Sequence, residues 1–162
     1  MNKPVLADLE KGQRIGSREL SFSRADLVRY AAASGDHNPI HWNDRFAREV
    51  GLDGVIAHGM LTMGSAVDLV SEWAGDPGAV VDYQARFTKP VPVPDVETGN
   101  PETPTARLLV TGTIGAVDAE ERRVRVDLTV ELLEAAIGRG ESAEQESART
   151  KVLAKSQAVV RL

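Results

Sequence analysis

The segment from Ile56 to Trp73 constrains the fold more than any other part of the chain. Small or apolar residues fill it almost throughout, and Asp68 is the one acid before the last turn. A helix that is apolar on nearly all sides must be covered on nearly all sides. The downstream sequence offers the cover. Ala79–Thr88, Ala106–Val117, Arg122–Leu133 and Lys151–Leu162 all read as strands, and Val124 to Val130 alternates apolar and polar residues with strict period two. Asp118 to Glu121 supplies the turn of a hairpin between two of them. Gly75-Asp76-Pro77-Gly78 breaks the chain between helix and strands. The layout expected is α+β, a curved antiparallel sheet wrapped around one buried helix running from about Gly59 to Trp73.

Upstream of that helix the signals are shorter. Leu20 and Phe22 alternate at the end of an extended lead-in that starts at Lys11. Ser23 with Asp26 has the spacing of a helix N-cap, and Leu27, Tyr30 and Ala31 follow at helical intervals. Asn43 or Asp44 can cap a second short helix, which Gly51 would end. The 162 residues suit one domain. Two stretches read as mobile surface loops within it: Pro90–Pro104, with five prolines, and Gly138–Ser147, which is small, acidic and polar.

Composition removes several functions. With no cysteine, the chain has no disulfide framework, thiolate metal site or cysteine nucleophile. A net charge of −5, no basic stripe and few aromatics argue against a nucleic-acid partner. The N-terminal residues carry no apolar run of the signal-peptide kind, and no stretch has the roughly 20 apolar residues that span a bilayer. A cytoplasmic protein without a membrane partner is the expectation.

The anomaly is that all three histidines, His37, His41 and His58, fall in one short stretch beside Asp36, Asn38, Asp44 and Asp53. Such a cluster could ligate a metal, but no His-x-x-x-His pair or matching third ligand has the usual spacing. His37 and Asp44 read as turn and capping residues. Asp36 and His41, separated by a turn that Asn38-Pro39 fixes, can instead converge as a general acid and base. Gly59 begins the apolar helix, where unpaired backbone N–H groups could stabilise a developing oxyanion. The chemistry suggested is proton transfer next to a carbonyl, with loss or gain of a hydroxyl. His58, at the mouth of that helix, could line the site but reads as a structural residue capping the helix start, outside the catalytic set, and Trp42 and Trp73 read as core.

Tyr30-Ala-Ala-Ala-Ser-Gly-Asp-His-Asn-Pro-Ile-His41 closely resembles the hydratase motif of the MaoC-like, (R)-specific enoyl-thioester hydratases and dehydratases of hotdog fold. Its Gly-Asp-x-Asn-Pro-Ile/Leu-His core would arise by chance on the order of once in tens of millions of windows at average residue frequencies. The stretches Val50 to Asp53, Ala57 to Gly64, Trp73 to Val80 and Arg86 to Pro94 resemble, more narrowly, the catalytic B-type subunits of mycobacterial (3R)-hydroxyacyl-ACP dehydratases. The resemblance implies a catalytic dyad at Asp36 and His41, a loop-shaping role for Asn38, and a thioester oxygen bound at the Gly59 N–H, with Gly59 and Asn38 as the oxyanion and substrate-binding positions. It implies no metal and no organic cofactor. The reaction it implies is syn elimination of water from a (3R)-hydroxyacyl thioester, or the reverse hydration, in fatty-acid metabolism. Some members carry a serine on the central helix where this chain has Gly64, with Ser65 next to it.

An acyl-ACP or acyl-CoA substrate would be met by cations, for which Arg45, Arg48, Arg86 and Lys89 are candidates. A dimer is expected, either a homodimer or a heterodimer with a related hotdog subunit. The alternative is a non-catalytic hotdog subunit that shapes the acyl channel of an active partner. A thioesterase reading would need a carboxylate near the site on the central helix, and Asp68 lies well along it.

Overall fold

The structure, a computed structural model, describes residues 3–96, 99–133 and 149–162. Five strands form one antiparallel sheet: β1 (Arg14–Phe22), β2 (Val80–Phe87), β3 (Ala106–Asp118), β4 (Arg123–Leu133) and β5 (Thr150–Arg161), in the spatial order β1-β3-β4-β5-β2. The helices are α1 (Arg24–Ser34), α2 (Asp44–Glu49) and α3 (Gly59–Ala74). All four strand segments read from the downstream sequence are present, and the lead-in to Phe22 is the edge strand β1.

Period-two patterning makes the sheet one-sided. On β4, Val124, Val126, Leu128 and Val130 are all buried, while the residues between them are half-buried. The buried face curves around α3, which touches all five strands. This is the hotdog arrangement. The helix buries Thr62, Ala66, Leu69, Val70 and Ala74 against the sheet. Its burial is nevertheless one-sided, contrary to the all-round cover expected. Met60, Gly64, Asp68 and Glu72, spaced four apart, form an exposed stripe. One curved sheet covers one side of a helix, and small side chains opposite it made the sequence look more enclosed than it is. Gly75, left-handed at φ 68°, ends α3 by donating its amide to Ser71 and Glu72 carbonyls.

The proline-bearing connection also differs from expectation. Val91 and Val93 are buried, and their segment is tied to residues 55–57 by the bonds Ala57 N–H to Val91 O (2.8 Å) and Val93 N–H to Val55 O (2.9 Å). Further along, Thr105 Oγ1 donates to Pro94 O at 2.7 Å and Ala25 N–H to Pro101 O at 3.0 Å. Prolines that lack an N–H leave their neighbours' groups free to make such ties. The Gly138–Ser147 stretch lies outside the described residues.

Candidate active site

The loop carrying Asp36 and His41 is built from its own short side chains. Ser23 caps α1 in a reciprocal capping box with Asp26, and the helix ends at Gly35, whose φ of 77° turns the chain sharply. Asp36 Oδ1 then accepts from the Asn38 amide at 3.2 Å, and Asn38 Oδ1 accepts from the Ile40 amide at 3.2 Å. Two successive side-chain turns of this kind set the path of the backbone. Pro39 opens a single 3-10 turn, Pro39–His41, that presents the imidazole. Asn43 caps α2 immediately after, accepting from the Phe46 amide at 3.1 Å.

His41 and Asp36 are brought together as the spacing implied. His41 Nδ1 lies 2.8 Å from Ile56 O. A carbonyl can only accept, so Nδ1 carries a proton and Nε2 is the ring nitrogen left to take or give one. That Nε2 stands 3.9 Å from Asp36 Oδ2, close enough for one water or substrate group to bridge them. The two differ in environment: the His41 side chain is 8% exposed and that of Asp36 is 50% exposed. The imidazole forms a wall of the site and the carboxylate stands at its rim.

His58 completes the cluster. It is 1% exposed, its ring is stacked on His41 with centroids 3.8 Å apart, and it tilts against Tyr30 at 4.8 Å. Its Nε2–H donates to the Asp36 backbone carbonyl at 3.1 Å. Burial pushes the His58 pKa below its ordinary range and so favours the neutral ring, the more so whenever His41 carries a charge. Donor atoms of Asp36, His41 and His58 all lie within 4.8 Å of one another. Two stacked imidazoles, however, carry their lone pairs in near-parallel planes. These do not converge on a point as a tetrahedral metal requires, so the arrangement suits proton transfer better than metal ligation.

Beside the dyad lies an apolar cavity of about 400 Å³, with His41, Gly59, Thr62, Phe87, Lys89 and Leu153 in its walls. Gly59 opens α3, and its amide has no hydrogen-bond partner among the described residues. The Phe87 ring packs over the Gly59 backbone so closely that a Cβ there would sit 3.0 Å from it. Glycine therefore leaves room beside the cavity at a helix N-terminus. Asn38 is spent on the loop and does not line the cavity.

Of the four cations singled out in the sequence, only Lys89 lines this cavity. Arg45 is 3.8 Å from Glu49, Arg48 donates to Asp53 O at 3.4 Å, and Arg86 alternates with Phe87 on β2 and so faces the other side of the sheet. Trp42 is a correction to the core reading: it is 52% exposed, with its indole N–H bonded to His37 O at 3.1 Å. The indole has a polar partner on the loop and needs no place in the interior. Trp73 does pack against the core. Asp68 is exposed, away from the cavity. Sequence reasoning did not single out Phe87, Thr62 or Leu153, which reach the cavity from β2, α3 and β5. Nothing local in the sequence marks them as neighbours of residue 41.

A family model described as "MaoC like domain" matches residues 8–103. The chain belongs to the MaoC-like family. It is 36% identical over 117 residues to a 3-hydroxybutyryl-CoA dehydratase of Methylorubrum extorquens, covering 67% of this chain and 73% of that one. It is 48% identical over 75 residues to 3-hydroxyacyl-thioester dehydratase X of Mycobacterium tuberculosis, covering 46% of this chain but only 26% of that longer protein. A solved MaoC-like dehydratase superposes with a TM-score of 0.79 at 33% identity, covering 99% of this chain and 42% of that one. The family relatives are hydro-lyases by name. Among the described residues, no helix of this MaoC-like chain is long and apolar enough to cross a membrane.

Proposed function

We propose that the chain is a (3R)-hydroxyacyl-thioester dehydratase and (R)-specific enoyl-thioester hydratase that works through Asp36 and His41. The observation that carries this reading is His41 Nε2 in the wall of an apolar cavity that Gly59 also lines, 3.9 Å from the Asp36 carboxylate, with the Nδ1–H of the same ring tied to Ile56 O. In dehydration, His41 Nε2 takes the α proton, and charge moves onto the thioester oxygen, where the Gly59 N–H stabilises it. The Cβ–O bond then breaks, the departing hydroxyl receives through Asp36 the proton that His41 took, and water leaves with both residues back in their starting states. Because acid and base stand on one side of the substrate, elimination and addition are syn.

The acyl chain occupies the apolar cavity, and the thioester carrier, CoA or ACP, extends past Lys89. The chain pairs through an open sheet edge, since β1 and β2 each leave one edge unpaired. The partner is a second copy or a related hotdog chain, and light scattering of the purified protein distinguishes a dimer from a monomer. The catalytic test is absorbance at the enoyl-thioester band with crotonyl-CoA for wild type, Asp36→Asn and His41→Gln. Loss of absorbance in wild type alone supports the dyad. Activity that survives both substitutions contradicts it.

A further inference from the structure

His58 is the most buried titratable side chain next to the dyad, and the mechanism above gives it nothing to do. A structural explanation would be that it caps α3, yet its side chain makes no capping bond although it occupies the N-cap position. A second explanation would be packing. An imidazole is a poor choice for packing alone, because its Nδ1 is buried without any hydrogen-bond partner among the described residues. A phenyl ring of similar shape would fill the same space without an orphaned acceptor. The imidazole offers one thing that a phenyl ring cannot, the Nε2–H donated to the Asp36 carbonyl at 3.1 Å.

We infer that His58 is a positioning residue, whose Nε2–H anchors the Asp36 main chain while its ring backs the His41 imidazole, so that one buried side chain fixes both members of the dyad. This inference rests on the acid–base reading of Asp36 and His41. The geometry makes the two functions compatible. The bond to a carbonyl requires the proton on Nε2, and burial, with no acceptor beside Nδ1 among the described residues, favours the neutral ring. A neutral ring 3.8 Å from His41 does not oppose the positive charge that His41 gains when it takes the α proton. The Asp36 carboxylate is half exposed and its side chain binds only the loop's own Asn38 amide, so the backbone anchor is what ties it to the protein interior.

Three substitutions separate donor from ring. His58→Gln carries an amide nitrogen to the place of Nε2, His58→Asn carries it only to the place of Nδ1, and His58→Phe keeps an aromatic plate with no donor. Crotonyl-CoA hydration should retain kcat within about fivefold in His58→Gln and fall about 10- to 100-fold in His58→Asn and His58→Phe, the cost of losing a buried bond. KM should stay within about twofold, because substrate contacts are untouched. In an Asp36→Asn background, His58→Phe should cause no further loss, since residues acting as one unit are not additive. A His58→Phe enzyme with wild-type kcat, or one whose loss multiplies fully with that of Asp36→Asn, overturns the inference. A readout that needs no substrate is amide hydrogen exchange at Asn38 and Ile40. Exchange should quicken at least tenfold in His58→Phe and His58→Asn but not in His58→Gln, and equal exchange in all three overturns the inference as well. If wild type were inactive while this exchange pattern held, the dyad reading would fail and the anchor would stand.

Discussion

The sheet and the dyad loop are held together by opposite means. In the sheet, β3, β4 and β5 bury one side chain in two, and residues such as Leu108, Val126 and Val160 are wholly inaccessible. The loop from Gly35 to Trp42 buries only His41 among its side chains. It is shaped instead by a left-handed glycine, two side-chain turns and one proline. Stability should therefore reside in the sheet and chemistry in the loop, with His58 and Ile56 as the points where the second is fastened to the first. That division is what an enzyme needs when its reacting groups must meet solvent and substrate while their frame stays fixed.

The largest expected effect falls on the loop side. Asp36→Asn and His41→Gln should each lower kcat/KM by about 10²- to 10⁴-fold, the range for general acid–base groups, with the melting temperature little changed by calorimetry. A large drop in melting temperature would blur the two regions. Leu108→Ala tests the other side. It should cost about 2–5 kcal/mol in urea denaturation, with kcat per folded molecule unchanged. Loss of kcat there would mean that the loop senses the core directly.

Gly59→Ala lies where the regions meet. The added Cβ would press on the Phe87 ring at 3.0 Å and push it into the cavity. The expected result is roughly a tenfold fall in kcat/KM, about 1.4 kcal/mol, without unfolding. The smallest effect is electrostatic. Because burial holds the His58 pKa in the folded protein below its unfolded value, the unfolded chain binds the proton first as pH falls. The contribution is fully present above the unfolded pKa of about 6.5 and is lost as pH drops through the folded value. Urea midpoints should therefore decline below neutrality in wild type, and His58→Gln should flatten that slope. Asp44 acts lower on the scale. Burial opposes its ionisation, but hydrogen bonds from Arg24 and the Val55 amide outweigh that and hold its carboxyl below the ordinary range. Its contribution is present above its unfolded pKa and lost only as strong acid protonates it.

The same division explains what could be read from sequence. Regular elements follow from local patterns, so the alternation of Val124 to Val130 and the cap at Ser23 led directly to β4 and α1. The closeness of Asp36 and His41 could be read as well, because Gly35, Asn38 and Pro39 are turn formers whose geometry is local. The stacking of His58 on His41 could not, since residues 17 positions apart are brought together by long-range ties such as the Ile56 amide to Ile40 O at 3.2 Å and His41 Nδ1 to Ile56 O at 2.8 Å. Nor could the exposed face of α3, whose small and apolar residues resemble buried ones until the sheet is seen to cover one side. Trp42 went astray for a similar reason. Its size suggested the core, and its hydrogen bond to His37 keeps it at the surface.

The stereochemistry of water addition tests the account most directly, because His41 Nε2 and Asp36 Oδ2 lie 3.9 Å apart and would act on the same face of a substrate. Crotonyl-CoA hydrated by the wild-type enzyme in D2O should give a single (3R)-hydroxybutyryl product, with deuterium at C2 on the same face as the new hydroxyl when resolved by proton NMR. Deuterium on the opposite face, or a mixture of both, would mean that the acid and base do not act from one side, and would contradict the dyad.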